Sequence, residues 1–280
     1  MNSNSTNEQA CHMPEEVSPH LVIRMMEYRW AQPYCTGKKV MDLNCDKGSG
    51  SKLLAVTASE VLGVDTNHSA IEFAKKSVIP ANVQFRLVVE GQLPFDDDSF
   101  DVVVAFNYLE GLYNPKEVFL KINRILKPGG VLIVSTVNRL LRLYFWQKPY
   151  NTLHFTEYSP TTFKVFLSRY FHEVELHGIM TTGPYFPDLL KNIQARKFRL
   201  GIYYPVRNFL RYYVRPLFTL FFPKYYPPLD SPLLKGKLKK SSSEEKGIGE
   251  TDFELACMEV QIVTNNLNSA RELIALCKKE

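Results

Sequence analysis

Residues 38–65 read KKVMDLNCDKGSGSKLLAVTASEVLGVD, and this stretch decides the fold. Residues 38–43 form a short apolar run that enters a loop of small residues with Gly48 and Gly50. Residues 52–57 have helical spacing, and residues 61–65 form a second apolar run that ends in an acid. A strand, a small-residue loop, a helix and a second strand together indicate the first unit of a parallel α/β sheet.

The same alternation of strands and helices continues along the chain. Further strands are predicted at 82–88, 100–106, 131–135, 171–178 and 271–278, with 259–264 as the alternative to the last. Helices are predicted at 18–30, 70–74, 115–126 and 160–168, the third ending before Pro128-Gly129-Gly130. The expected fold is a doubly wound, mostly parallel, seven-stranded Rossmann-like α/β sheet, with a long basic, aromatic insertion before its last strand.

Charge and aromatic content divide the chain into two parts. The 280 residues carry a net charge of +5, but residues 186–240 contain 12 basic and two acidic residues, so this segment carries +10 and the rest −5. Residues 186–228 hold 12 of the 35 aromatic residues. We predict a disordered tail at 1–16, a core at 17–178, an insertion at 179–270 with a mobile loop at 235–250, and a final core strand within 271–280.

Several protein classes are excluded by composition. The chain has five cysteines and no C-x-x-C pair, which argues against both a disulfide framework and a zinc site. The first 16 residues have neither the basic start nor the apolar centre of a signal peptide, and no run of about 18 apolar residues occurs. We therefore expect a cytoplasmic protein, with peripheral attachment to the inner face of a membrane as an extension of that expectation.

Five segments resemble the motifs of one family, in the family's order. They are the loop at 42–50, VLGVD at 61–65, LPFDDDSFDVVV at 93–104, LKPGGVLIVST at 126–136 and NTLHFTEYSP at 151–160. The chain here resembles the class I S-adenosylmethionine-dependent methyltransferases of the type 11 group. The resemblance implies S-adenosylmethionine as cofactor and methyl transfer to a small-molecule, sugar or lipid-linked acceptor, with oxygen as the expected atom. The dinucleotide fingerprint G-x-G-x-x-G is absent, which disfavours a nicotinamide cofactor.

The resemblance also implies which residues bind the cofactor. Asp65 is expected to hold the ribose hydroxyls. The family position whose acid faces the adenine falls on Val89, which is not an acid, and Glu90 follows one place later. The full set comprises Asp42, Asn44, Asp46, Gly48, Gly50, Asp65, Thr66, Val89, Glu90, Asn107 and Tyr108.

Asn44 and Asp46 stand where the family pattern has glycines. Asn and Asp are the residues that best tolerate a positive φ, so the loop can keep its path. The Asp46 carboxylate adds charge near the cofactor's own carboxylate, a repulsion of about 3 kcal/mol at roughly 5 Å and a dielectric constant near 20. This departure leaves open an alternative, a catalytically silent scaffold that binds a membrane or protein partner.

The catalytic candidates are His154, Glu157 and Tyr158, which the resemblance places near the cofactor. An oxygen or nitrogen acceptor can require a base to take its proton, and histidine has a suitable pKa near neutrality. The alternative is that His154 only forms hydrogen bonds within its own loop. No metal ligand set is expected.

Three interpretations suit the basic, aromatic segment at 186–228. Arginines interleaved with Tyr and Phe are typical of helices that lie on a membrane surface, and they also suit RNA through phosphate pairing and base stacking. A structural lid or a dimer contact is the third. The corresponding partners are a membrane surface, another protein, or a nucleic acid, in which case the protein would be an RNA methyltransferase.

Overall fold

The computed structural model describes residues 19–77, 79–144, 146–149, 151–181, 189–209 and 260–280. The predicted tail at 1–16, the predicted mobile loop at 235–250 and most of the predicted insertion lie outside the described residues. Within them, the elements in chain order are α1 (Pro19–Cys35), β1 (Lys39–Leu43), α2 (Ser49–Leu54), β2 (Glu60–Asp65), α3 (His68–Lys76), β3 (Val83–Leu87), β4 (Phe100–Ala105), α4 (Pro115–Ile125), β5 (Leu126–Val137), α5 (Arg139–Arg142), α6 (Pro160–Leu167), β6 (Glu173–Thr181), α7 (Leu189–Phe198), α8 (Tyr204–Phe209), β7 (Val260–Val263) and β8 (Glu272–Lys278).

The strands form one sheet in the order β3-β2-β1-β4-β5-β8-β6-β7. The first five strands in this order are parallel to one another, and β8 runs antiparallel between β5 and β6. The chain order reverses between β1 and β4. In doubly wound sheets this is the switch point, where ligands bind beyond the carboxyl ends of the strands.

The predicted α/β class and doubly wound topology are confirmed, but the predicted strand count is wrong. The described residues contain eight strands, because the segments at 271–278 and 259–264, treated as alternatives, both form strands. β8 pairs with β5 and β6 inside the sheet, whereas β7 pairs with β6 at the edge. Periodicity within a short apolar run does not show how many neighbours that run has.

Two hydrophobic layers cover the sheet. On one face α1, α2 and α3 pack with residues such as Val40, Val61 and Val104. On the other face α4 and α6 pack with Met41, Leu62 and the opposite side of β4. The buried parallel strands explain why their sequences are continuous apolar runs. Both layers leave the carboxyl ends of β1, β2, β4 and β5 as the polar edge of the sheet.

Candidate active site at the carboxyl edge of the sheet

The loop between β1 and α2 keeps a path suited to glycine although two of its residues are not glycine. Asn44, Asp46 and Gly48 have φ values of 70°, 51° and 81°. The backbone N–H groups of Asn44 and Cys45 donate to the Val64 carbonyl at 2.9 and 3.1 Å, which fixes the loop against β2. The prediction that Asn and Asp adopt a positive φ here is therefore confirmed.

Helix α1 supports this loop from below. The Tyr28 hydroxyl donates to the fully buried Asp42 carboxylate at 3.0 Å, and the Ser51 hydroxyl donates to its other oxygen at 2.5 Å. Burial raises the pKa of Asp42 to about 6, although Ser51, Arg24 and Tyr28 all favour its charged form. A Cβ at Gly50 would lie 2.0 Å from the Tyr28 ring. Asp42 and Gly50 thus allow helix α1 to pack directly against the loop through Tyr28.

Asp65 ends β2 and joins two loops. One carboxylate oxygen accepts the N–H of Asp46 and the other accepts the N–H of Asn67, both at 2.8 Å. The residue is 6% exposed, and the next residue, Thr66, is exposed. Each carboxylate oxygen has two lone pairs, so Asp65 can accept one further hydrogen bond at each oxygen. That capacity matches a vicinal diol.

Two exposed residues, Val89 and Glu90, follow β3. Val89 is 63% exposed. The pKa of Tyr108 is raised by burial first and then by the carboxylates of Glu90 and Asp65. The charge of Glu90 therefore acts on the same phenol as that of Asp65, whereas Val89 carries no charge.

Asn107 follows β4 in the left-handed conformation, with φ 49°. Its N–H donates to the Ser135 hydroxyl at 3.2 Å, and its side-chain amide donates to Glu272 at 3.5 Å. A strained non-glycine backbone of this kind is held by its surroundings and often marks a functional site. The amide of Asn107 is directed towards β8, so the structure does not place it with Asp65.

A group of buried acids near Asn107 was missed by the sequence analysis. Glu27, Glu110 and Glu272 come from α1, from the turn after β4 and from β8, and all three are at most 5% exposed. Neither carboxyl oxygen of Glu27 has a hydrogen-bond partner. No sequence motif contains these three residues, because only the tertiary structure brings their elements together.

The charge state of these acids is set by burial and by one another. The pKa of Glu27 is raised well above its usual value by burial and then by the Glu272 carboxyl, while Ser135 and Arg24 oppose the shift. The pKa of Glu110 is raised to about 7, chiefly by burial. The Thr136 hydroxyl donates to Glu110 at 3.0 Å, and His154 also favours its charged form.

His154 belongs to a hydrogen-bonded chain at the same edge. Its Nδ1 lies 2.9 Å from Glu157 Oε1, and Arg142 Nε lies 3.2 Å from both Glu157 oxygens. The Glu157 side chain is fully buried, whereas the His154 side chain is 13% exposed. Because Nδ1 is used by Glu157, Nε2 is the nitrogen of His154 that can serve an acceptor. Glu157 holds the ring and Arg142, so it is a positioning residue.

Tyr158 is not part of this hydrogen-bonded group of His154, Glu157 and Arg142. Its ring is buried and packs against Phe163 and Phe166 of α6, at centroid distances of 6.1 and 5.5 Å. The structure therefore corrects the prediction of a catalytic Tyr158: the side chain belongs to the hydrophobic core, because a residue next to Glu157 in the chain points to the other side of the backbone. Over the described ranges, no group of three His, Cys, Asp or Glu residues could hold a metal ion.

Comparison with known proteins agrees with this geometry. Residues 36–166 match the family model described as a methyltransferase domain. The chain is 30% identical over 141 residues to a "Probable S-adenosylmethionine-dependent methyltransferase" of Mycolicibacterium smegmatis, covering 50% of this chain and 54% of that protein. It is 31% identical over 115 residues to the ubiquinone biosynthesis O-methyltransferase of Actinobacillus pleuropneumoniae, covering 39% and 49%. The chain thus spans about half the length of the curated relatives it matches.

Solved structures show the fold. A methyltransferase of Thermotoga maritima, described as a possible histamine N-methyltransferase, superposes with a TM-score of 0.53 at 14% identity, over 94% of this chain and 91% of the other. The [4+2]-cyclase SpnF superposes with a TM-score of 0.50 at 15% identity, over 96% and 84%. The fold therefore does not by itself fix the reaction. The motifs and the domain match do fix the family: residues 36–166 belong to the class I S-adenosylmethionine-dependent methyltransferases, whose cofactor is S-adenosylmethionine.

Proposed function

We propose that the protein is an S-adenosylmethionine-dependent methyltransferase that methylates a hydroxyl oxygen of a small-molecule, sugar or lipid-linked acceptor. The observation that carries this proposal is the state of Asp65. Its carboxylate ends β2 at the carboxyl edge of the sheet, one strand from the switch point, is held by two backbone N–H groups at 2.8 Å, and keeps a lone pair on each oxygen for the ribose hydroxyls.

The residues present fit the cofactor. The loop at 44–48 retains its path, and the side chain of Asp46 is exposed, so solvent screens its charge. Arg24 donates to the Asn44 carbonyl at 2.6 Å, which places a cation beside the loop. We assign the adenine to Glu90 and Tyr108, because the carboxylates of Glu90 and Asp65 both raise the pKa of the Tyr108 phenol after burial does. When bound, S-adenosylmethionine supplies an electrophilic methyl group.

The chain itself supplies alignment and proton removal. His154 Nε2 takes the proton from the acceptor hydroxyl, and Glu157 holds Nδ1 and stabilises the imidazolium that results. Arg142 Nε lies 3.2 Å from both Glu157 oxygens, so Glu157 is held between Arg142 and His154. Methyl transfer needs in-line alignment of three atoms, and the buried edge around Asn107 can provide a site that excludes water.

Two observations support oxygen as the acceptor atom. The His154–Glu157 pair is a base arrangement of the kind that a hydroxyl needs. Ubiquinone biosynthesis O-methyltransferases are among the similar proteins, at about 31% identity over the shared domain.

Calorimetric titration with S-adenosylmethionine tests the proposal most directly. We expect saturable binding, and no heat at millimolar cofactor with a folded sample would contradict the proposal and favour the silent scaffold. Transfer of tritiated methyl groups to a lipid extract tests the reaction. We expect His154→Gln to reduce that transfer by at least about 100-fold while cofactor affinity is unchanged. His172→Gln, which alters an exposed histidine, is the matched control.

A further inference from the structure

The charged residues in the sequences of α5, the residues after it, α7 and α8 are all basic. We call the described residues 139–144, 146–149 and 189–209 the α5–α8 surface. Their sequence contains eight basic residues, of which Arg142 pairs with Glu157, and no Asp or Glu. The exposed basic residues with described side chains include Lys148, Arg196 and Arg199. Exposed basic side chains of this kind attract anionic partners.

The two ranges are packed together rather than merely neighbours in space. Lys197 Nζ donates to the Leu140 carbonyl at 2.6 Å and lies 4.7 Å from the centre of the Tyr144 ring. A Cβ at Gly201 would lie 2.5 Å from Tyr144, so α7 and α8 join tightly over that ring. Tyr144 in turn stacks on Trp146 at a centroid distance of 4.9 Å. The α5–α8 surface is therefore one structural unit.

This unit also exposes large apolar side chains. Trp146, Phe198 and Phe209 are 55%, 50% and 57% exposed, and Leu140, Leu200 and Val206 are exposed with them. Single exposed apolar residues are ordinary, but a group of this size on a basic face indicates an interaction surface.

The α5–α8 surface adjoins the proposed acceptor end of the site. The segment that carries Trp146 continues to His154, which lies between the exposed Leu153 and Phe155. Phe155 contacts the exposed Tyr113 edge-to-face at 5.5 Å. A partner bound to the α5–α8 surface would therefore lie beside the residues that serve the acceptor.

We propose that the α5–α8 surface docks on an anionic lipid bilayer, with Trp146, Phe198 and Phe209 in the interface and Arg196, Arg199 and Lys148 at the phosphate level. Aromatic side chains with polar neighbours favour the headgroup region, and basic side chains gain from its negative potential. Aliphatic residues on the same face cannot stack on bases, so lipid suits the surface better than RNA does. Attachment would be peripheral, since no helix in the described part of the chain is long and apolar enough to cross a membrane.

Co-sedimentation of the full chain with vesicles tests the proposal. We expect binding to vesicles of 70% phosphatidylcholine and 30% phosphatidylglycerol, weakened at least tenfold in 0.5 M NaCl, and little binding to phosphatidylcholine alone. The variant Trp146→Ser/Arg196→Glu/Arg199→Glu should bind at least tenfold more weakly, because each basic residue near the surface contributes roughly fivefold. Its S-adenosylmethionine affinity should equal that of the wild type, which separates this proposal from the proposed chemistry.

A matched control changes residues of the same kinds elsewhere. Leu120 on α4 and Lys76 on α3 are both exposed, and Leu120→Ser/Lys76→Glu should bind vesicles as the wild type does. The proposal is overturned if Trp146→Ser/Arg196→Glu/Arg199→Glu binds vesicles as the wild type does. It is also overturned if the control variant loses as much vesicle binding as this triple variant. Preferential binding of a 20-nucleotide single-stranded RNA over the anionic vesicles, lost in the first variant, also overturns it and assigns the surface to nucleic acid.

Discussion

Buried carboxylates near the cofactor loop have more hydrogen-bond donors around them than the buried carboxyls near Asn107 have. At the cofactor end, Asp42 accepts two hydroxyl hydrogen bonds and Asp65 accepts two backbone N–H groups. Near Asn107, burial and then the Glu272 and Glu110 carboxyls raise the pKa of Glu27, and only Ser135 and Arg24 oppose that shift.

This difference shows which part of the site has its side chains fixed before any ligand binds. Donors around Asp42 and Asp65 fix the position of each oxygen, so the cofactor end is preorganised. Glu27, Glu110 and Glu272 are buried together with few donors, and like charges at short range cannot all ionise. Stability should therefore depend on pH through this acid group, while cofactor binding should depend on the single carboxylate of Asp65.

The largest effect is expected for Asp65→Ala. Removing the carboxylate releases the N–H groups of Asp46 and Asn67 and removes both acceptors for the ribose. Hydrogen bonds to a charged group contribute about 1.5–3 kcal/mol each, so S-adenosylmethionine affinity should fall at least about 100-fold by calorimetry. Asp96→Ala removes an exposed acid after β3 and should leave the affinity unchanged. An affinity within threefold of wild type in a folded Asp65→Ala protein would contradict the assignment.

A smaller effect, with a distinctive pH dependence, is expected for Glu27→Gln. In the folded protein the raised pKa lets Glu27 keep its proton at pH values where the unfolded chain has lost it. Folding therefore takes up a proton, and the wild-type free energy of unfolding falls as pH rises above about 4.5, the range where the unfolded carboxyl titrates. Arg24, Glu110 and Glu272 are the charged groups that face Glu27 and set how far the fall extends.

Glutamine does not titrate, and its amide can donate to the neighbouring carboxylates. Glu27→Gln should therefore be about 1–3 kcal/mol more stable than wild type at pH 8 and nearly equal to it at pH 5, as measured by urea unfolding. Glu117→Gln, on the exposed side of α4, should show no such difference. The same stability gain at both pH values would show that Glu27 is not protonated in the folded state.

The smallest effect is expected for Asp46→Asn. The sequence alone predicts a repulsion of about 3 kcal/mol between Asp46 and the cofactor's carboxylate, less where solvent reaches the charge. The Asp46 side chain is exposed, and solvent and salt screen such a charge strongly. Affinity for S-adenosylmethionine should therefore rise no more than roughly fivefold, and only at low ionic strength. A hundredfold rise in affinity would instead support an unscreened repulsion of about 3 kcal/mol.

The fold could be predicted because its decisive signals are local. The apolar runs of β1, β2 and β4 are buried on both faces, and the glycines at 48 and 50 are needed for a close approach to Phe85 and Tyr28. The positive φ of Asn44 also follows from its residue type. The strand count was not predictable, because β7 and β8 have similar local patterns and differ only in their neighbours.

The site was predictable only where one motif contains the whole interaction. His154 and Glu157 are three residues apart and contact each other, whereas Tyr158, the next residue, enters the core. The choice between Val89 and Glu90 was not predictable, because both side chains are exposed after β3. A spacing rule cannot decide between neighbours that differ by one position.

The sequence by itself determined the alternation of elements, the path of the loop at 44–50 and the acid at the end of β2, since each depends on residues close together in the chain. Only the tertiary structure decided that Glu27, Glu110 and Glu272 meet, and that α7 and α8 pack on Tyr144 to form a basic, apolar face. Glu27 and Glu272 lie about 250 residues apart, and their approach depends on the strand order, which inserts β8 beside β5. No periodicity within either segment encodes that order.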